Sequence, residues 1–379
     1  KKKKKNKKKK KIKKKKIYNN LLKKLDLSIK NDDKKSDFKD KKPSNRILSE
    51  LSTHLINKDY IKAEKLATLI TKEYSDHYSG WLTLGDIYNI KNKLFDALSF
   101  YKKSLELNTN DYEINYKVAL TLHNIGEFHQ ALKYYNNVIR LKNDFYKAHN
   151  NIGNVFSHIN KVKEAEASYK NAIKVNKNYC DAHFNLAILL EKQNRYEEAI
   201  NRYNLTIKIN PNFINAYINL SILLISLNNL DEAEEICKKG LKIQPLNDNL
   251  NLNLGNIFYG KYQFQVASEL YKKVIKINPL NSLAFNNLGN ASRELNLPKE
   301  AIRNYKAAIK LNPKDPNYYN NLSVALVESG KLDEAKENLN LAIDMMPEFS
   351  HALMSRGQLF FNEGEFKYAL NDFDKCQND

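Results

Sequence analysis

Alanine returns every 34 residues along most of this chain, at Ala63, Ala97, Ala131, Ala165, Ala199, Ala233, Ala267, Ala301, Ala335 and Ala369, with no insertion or deletion between them. A unit of that length cannot bury an apolar face alone, so it must stack on its neighbours. The period therefore predicts a row of like supersecondary units. It overrides the two or three globular domains that 379 residues would otherwise suggest.

The residues around each alanine predict the unit. Thirteen positions earlier stands an apolar residue followed by a small one: Leu84 and Gly85, Val118 and Ala119, Ile152 and Gly153, Leu186 and Ala187, Leu220 and Ser221, Leu254 and Gly255, Leu288 and Gly289, Leu322 and Ser323. Four positions after the alanine stands a bulky residue: Tyr101, Tyr135, Tyr169, Tyr203, Tyr271, Tyr305, Leu339 or Phe373. Apolar residues on each side fall at helical spacing, as in Leu186, Leu189 and Leu190, then Ala199, Ile200, Tyr203 and Ile207. Between the two runs stand Asn92, Gly126, Asn160, Asn194, Asn228, Asn296, Gly330 and Gly364, residue types that tolerate the left-handed conformation ending a helix. Tyr262 breaks that rule, and nearby Gly260 predicts a locally shifted turn. Pro211, Pro245, Pro279, Pro313 and Pro347 close the second runs, since proline cannot continue a helix. Each unit is thus a two-helix hairpin.

With Trp81, Leu84, Gly85, Tyr88, Ala97 and Tyr101, the chain resembles the tetratricopeptide repeat family. The Trp slot is held elsewhere by His149, His183, Tyr217, Phe285 and Tyr319. The resemblance implies an all-α, right-handed α-solenoid over about residues 44–379. Residues 44–77 read as a divergent leading repeat, with Ala63 in phase but no Leu-Gly pair. Eight units fill 78–349, and 350–379 reads as an incomplete ninth, stopping after 30 of 34 residues, which predicts that the natural chain continues beyond Asp379.

In this family the first helix of each hairpin lines a concave face that binds ligands. The residue before each apolar-plus-small pair should then face the groove: Thr83, Lys117, Asn151, Asn185, Asn219, Asn253, Asn287, Asn321 and Ser355. The six asparagines form a ladder that resembles the repeats of O-linked N-acetylglucosamine transferases, whose inner asparagines grip an extended peptide by its backbone. An amide offers both donor and acceptor, and each such bond contributes about 0.5–1.5 kcal/mol, so several must act in register. Asn154, Asn256 and Asn290 are further groove candidates, with Asn150, Asn286 and Asn320 beside them. The other reading is a ladder that merely bridges adjacent helices in an Asn-rich chain.

The charge has a different location. Residues 1–43 carry 22 Lys against 5 Asp, a net of +17 of the total +20, so the body is almost neutral. Like-charge repulsion with little to bury predicts a disordered lysine-rich tail. Lys1–Lys16 offers two readings, an electrostatic contact with anionic lipid or nucleic acid, or a solvated low-complexity end. No run of 18 apolar residues predicts a membrane span. Three scattered cysteines make no disulfide scaffold and favour a reducing, cytoplasmic setting.

No catalytic constellation, cofactor motif or metal-ligand set is evident. Cys180 and His183 have ligand-like spacing, but His183 occupies a packing slot. The expected function is a non-enzymatic scaffold binding an extended peptide or partner protein in its groove. The alternative is a substrate-recruiting arm for a glycosyltransferase, sulfotransferase or iron-dependent oxygenase domain after residue 379. Neither the partner nor the oligomeric state can be read from these residues.

Overall fold

The computed structural model describes residues 42–376, so nearly all of the lysine-rich segment 1–43 lies outside the described residues, as do 377–379. The described residues contain 20 α-helices and no strand. In chain order these are α1 (Asn45–Ile56), α2 (Tyr60–Glu73), α3 (Tyr78–Ile90), α4 (Leu94–Leu107), α5 (Tyr112–Ile125), α6 (Phe128–Leu141), α7 (Tyr146–His158), α8 (Val162–Val175), α9 (Cys180–Lys192) and α10 (Tyr196–Ile209). They continue as α11 (Ile214–Ser226), α12 (Leu230–Ile243), α13 (Asp248–Gly260), α14 (Phe264–Ile277), α15 (Ser282–Glu294), α16 (Pro298–Leu311), α17 (Pro316–Glu328), α18 (Leu332–Met345), α19 (Ser350–Asn362) and α20 (Phe366–Cys376). The chain divides at Asn176 and Lys177 into two compact units, one holding α1–α8 and the other α9–α20.

Each unit is a solenoid of antiparallel hairpins, as the period predicts. Within a hairpin the two helices pack on each other, and inside each unit every second helix packs on the first helix of the next hairpin. All ten periodic alanines are buried. The paired small residue is needed for close approach: a Cβ on Gly289 would stand 2.5 Å from the Tyr305 ring, and one on Gly153 equally close to Tyr169.

The turns carry positive φ at every position where Asn or Gly was expected, from Asn92 at 56° to Gly126 at 93°. The expectation of a shifted turn at Tyr262 is corrected. α13 ends at Gly260, and Tyr262 itself adopts φ of 60° in the same turn position as Asn228 and Asn296. Its ring is 82% exposed and meets Phe264 edge-on at 6.1 Å, so it is the packing of α13 on α14, not burial of the ring, that holds a tyrosine in a conformation it does not favour.

Proline reinforces the end of the second helices but does not create it. Asn210, Gln244, Asn278, Asn312 and Met346, each before a proline, have φ between −128° and −142°. Asn108, Lys142 and Asn176 break the helix at φ of −139°, −146° and −133° with no proline after them. Side-chain caps then restart some first helices, as where Asp111 Oδ1 accepts from the Glu113 and Ile114 amides at 2.8 and 3.1 Å.

Candidate functional site

First helices of successive hairpins touch directly: α5 with α7 in the first unit, and α11 with α13, α13 with α15, α15 with α17 and α17 with α19 in the second. Second helices have no contact of comparable extent among the described residues. Within each unit the first helices are therefore crowded on the inner side of the stack, and they form its wall.

The ladder asparagines lie on these helices, mostly half-buried, with Asn253 buried. Their amide groups bridge neighbouring hairpins. Asn151 Nδ2 donates to the Tyr116 hydroxyl at 3.0 Å in the first unit. In the second unit Asn253 donates to Ser221 Oγ at 2.9 Å, Asn287 to Asn256 Oδ1 at 2.8 Å, and Asn321 to Asn286 Oδ1 at 2.9 Å. Asn219 sits on α11 at the equivalent place. Ser355, where the ladder loses its asparagine, still reaches back to Asn320 Oδ1 at 3.2 Å. Asn185 sits on α9 at the equivalent place.

The second set of candidates, three positions further along each first helix, is tied to the buried tyrosines. Tyr169 donates to Asn154 Oδ1 at 2.9 Å, Tyr271 to Asn256 at 2.9 Å, and Tyr305 to Asn290 at 2.7 Å. In an early hairpin the same geometry is built from charges: Tyr101 donates to Asp86 at 2.8 Å, and Lys117 forms an ion pair with the same carboxylate. Lys117, an exception in the ladder, is thus the cationic counterpart of an asparagine whose partner has become an aspartate. Burial, first of all, pushes the phenols of Tyr101, Tyr169, Tyr271 and Tyr305 above their ordinary range, so they act as donors.

A second recurring bond was not expected from the sequence. Where the Trp slot holds a polar side chain, that side chain bonds the carbonyl six residues earlier. It does so through Trp81 Nε1 to Ser75 at 3.0 Å, His149 Nε2 to Asn143 at 3.0 Å, His183 Nε2 to Lys177 at 2.9 Å, and the Tyr217 and Tyr319 hydroxyls to Pro211 and Pro313, both at 3.0 Å. Asn115 and Asn251 do the same at 3.4 and 3.3 Å. The slot clamps the loop between hairpins, and the signal for it was donor capacity rather than aromaticity. His183 is engaged there, and its imidazole is held below the usual range mainly by burial. Among the described residues no group of three or more His, Cys, Asp or Glu side chains is placed to hold a metal ion. Cys237 is buried, and burial pushes its thiol up to about 11, which favours the protonated form.

Two other features face the wall. Between α17 and α19 an open cleft of about 440 Å³ is lined by Val324, Val327, Met354 and Leu359, with Ser355 and Gln358 among its polar residues. On α15, Arg293 donates to Glu294 Oε1 at 3.0 Å and lies 3.8 Å from Glu328. Among the described residues no helix is long and apolar enough to cross a membrane.

Family profiles described as tetratricopeptide repeat match residues 112–145, 146–179, 214–245 and 316–349, and again 168–201 and 270–303. One described as TPR repeat matches 293–327. Together these segments cover more than half of the chain. A search of curated proteins gave no match. Among solved structures, the APC/C hetero-tetramer Cut9–Hcn1 is similar at 17% identity and a TM-score of 0.53, over 79% of this chain and 58% of that one. A tetratricopeptide repeat protein from Parabacteroides merdae is similar at 17% identity and a TM-score of 0.53, over 68% of this chain and 98% of that one. At that identity the likeness concerns the fold alone. The 34-residue grammar, the stacked hairpins it builds and the profile matches agree: the chain belongs to the tetratricopeptide repeat family.

Proposed function

We propose that this protein is a scaffold that binds an extended peptide or a partner protein along the inner wall of its first helices, and that it carries out no reaction itself. The observation that supports this reading most is the recurrence of wall amides at a fixed 34-residue interval: Asn185, Asn219, Asn253, Asn287 and Asn321 in the second unit and Asn151 in the first, where Asn154 stands three residues further along the same helix. A solenoid wall of this kind presents a long continuous surface. Amides in register along it suit main-chain groups of an extended ligand better than any one side chain. The apolar cleft beside Ser355 suits an apolar side chain of the same ligand. The binding units are read as the eight repeats from residue 78, with 44–77 as a divergent leading repeat and 350–379 as an incomplete ninth.

The bridging bonds of these asparagines favour neither binding nor its absence, because an amide has two N–H groups and two lone pairs. They do make the wall stiff, which lowers the ordering cost of binding. The test is selection of ligands from a random peptide library on the full chain, followed by affinity measurement on the variant Asn185→Ala, Asn219→Ala, Asn253→Ala, Asn287→Ala. Ser221 and Tyr271 keep other partners in that variant, so helicity should persist. Four lost bonds of about 0.5–1.5 kcal/mol each should weaken binding by at least tenfold. Undiminished affinity with intact circular dichroism rejects the ladder.

A further inference from the structure

The cleft between α17 and α19 combines an apolar lining with an unbalanced charge. Leu339 and Leu359 are buried, Val324 and Val327 are half-buried, and Met354 is 52% exposed. At about 440 Å³ the cleft falls within the range of pockets that enclose ligands, about 300–1,000 Å³. Left to water, such a surface forgoes the free energy of burial.

Among the residues that line it, Glu328 alone is charged. Its side chain is 46% exposed, and Arg293, its cationic neighbour at 3.8 Å, lies nearer to Glu294 at 3.0 Å. Two carboxylates thus share one guanidinium, and one negative charge is left over. The surrounding hairpins add to it: residues 316–376 carry 10 Asp and Glu against 5 Lys and Arg, a net of −5. The matching occupant offers apolar side chains with a cation beside them.

This chain carries such a sequence outside the described residues. Lys1–Lys16 holds 14 lysines and one apolar residue, Ile12. Directly after it come Ile17, Tyr18, Leu21, Leu22 and Leu25, with Lys23 and Lys24 between the leucines. The lysine block is attracted to a surface of net negative charge, and the leucines add the burial that a bare charge run lacks. Lysine stems also pack on apolar surface while their ammonium groups reach a carboxylate.

We propose that residues 17–25 of a second copy of this chain occupy the cleft between α17 and α19. The leucines lie on Val324, Val327 and Met354, and Lys23 or Lys24 pairs with Glu328. The contact is heterologous, joining the segment of one copy to the cleft of another. It goes beyond the peptide-binding reading and uses none of the ladder asparagines.

The test is sedimentation velocity of the full chain over a concentration series. The chain should self-associate, and less tightly at high salt, because the exposed part of the pairing is screened. Leu21→Ser with Leu22→Ser and Leu25→Ser changes no described residue and should weaken association at least about tenfold. Glu328→Gln with Met354→Ser alters two half-exposed side chains of the cleft and should weaken it similarly, with unchanged circular dichroism. Mixing the two variants brings one intact segment to one intact cleft, so a mixed pair should form where neither variant associates alone. A full chain that stays monomeric overturns the inference. Unchanged association in the leucine variant overturns it too, since the lysines alone would then suffice. Unchanged association in the cleft variant, or a mixture that fails to pair, places the segment elsewhere and also overturns it. None of these results bears on the ladder variant, whose peptide affinity is measured separately, so either reading can fail while the other stands.

Discussion

The same substitution at two equivalent tyrosines should have opposite consequences. Tyr305 and Tyr135 occupy one slot of the repeat, and both are 0% exposed. The Tyr305 hydroxyl donates to Asn290 Oδ1 at 2.7 Å. At Tyr135 the corresponding wall position is Leu120, the neighbouring Asn151 amide donates instead to Tyr116 at 3.0 Å, and the hydroxyl has no hydrogen-bond partner in the structure. Tyr305→Phe deletes a made bond and leaves Asn290 able to turn to water, a loss of about 0.5–1.5 kcal/mol. Tyr135→Phe removes a desolvated, unpaired hydroxyl, whose burial costs about 1–3 kcal/mol, so the variant should be neutral or more stable by up to about 1 kcal/mol. Urea unfolding followed by circular dichroism reads this as midpoints moving apart at constant slope. Because coupled repeats need not unfold in one step, amide exchange in α5–α6 and α15–α16 should localise each effect. Losses of equal sign and size at the two sites would refute the assignment of a made bond at Tyr305 and an unpaired hydroxyl at Tyr135.

Three further outcomes follow from single features. Tyr262→Asn should stabilise by about 0.5–1 kcal/mol, since asparagine tolerates the positive φ that a tyrosine resists; a lower urea midpoint would contradict this. Lys117→Ala should cost about 0.5–1 kcal/mol, allowing for screening of a pair about a third exposed, whereas the double variant Asp86→Asn, Lys117→Asn rebuilds the amide rung and should be nearly neutral, as a double-mutant cycle would show. His77, His123 and His183 are all held below the ordinary histidine range, each mainly by burial, and His123 also by His158 beside it. The folded chain then resists protons that the unfolded chain takes up below about pH 6.5, so stability should be full above that value and fall as the pH drops below it. Thermal midpoints should show this decline, with a shallower slope in His123→Gln.

Much of the fold was legible because it is local and repeated. Hairpin register followed from the alanine period, and the turns from Asn and Gly at one recurring position, since only backbone conformation had to be satisfied there. Tyr262 escaped that logic: its neighbours hold it in a turn that its own preference opposes, and a propensity rule cannot see them. The proline rule was right in place but incomplete in cause, because Asn108 and Lys142 end their helices without one. At the wall the sequence could mark which asparagines share a position, but not what their amides touch. That depended on Asn287 facing Asn256, and on Tyr271 beneath both. Lys117 looked like a departure from the ladder until Asp86 appeared opposite it. Pairings of this kind cross from one hairpin to the next, so they emerge only when the stack is assembled.

Ligands should meet the first helices rather than the outer surface. The most direct measurement is a titration of protein labelled with nitrogen-15 at asparagine, using a library-selected peptide and following side-chain amides. Shifts should concentrate at Asn219, Asn253, Asn256, Asn287 and Asn290, while turn asparagines such as Asn228 and Asn296 stay put. Shifts confined to the turns and second helices, with the wall amides unmoved, would contradict it.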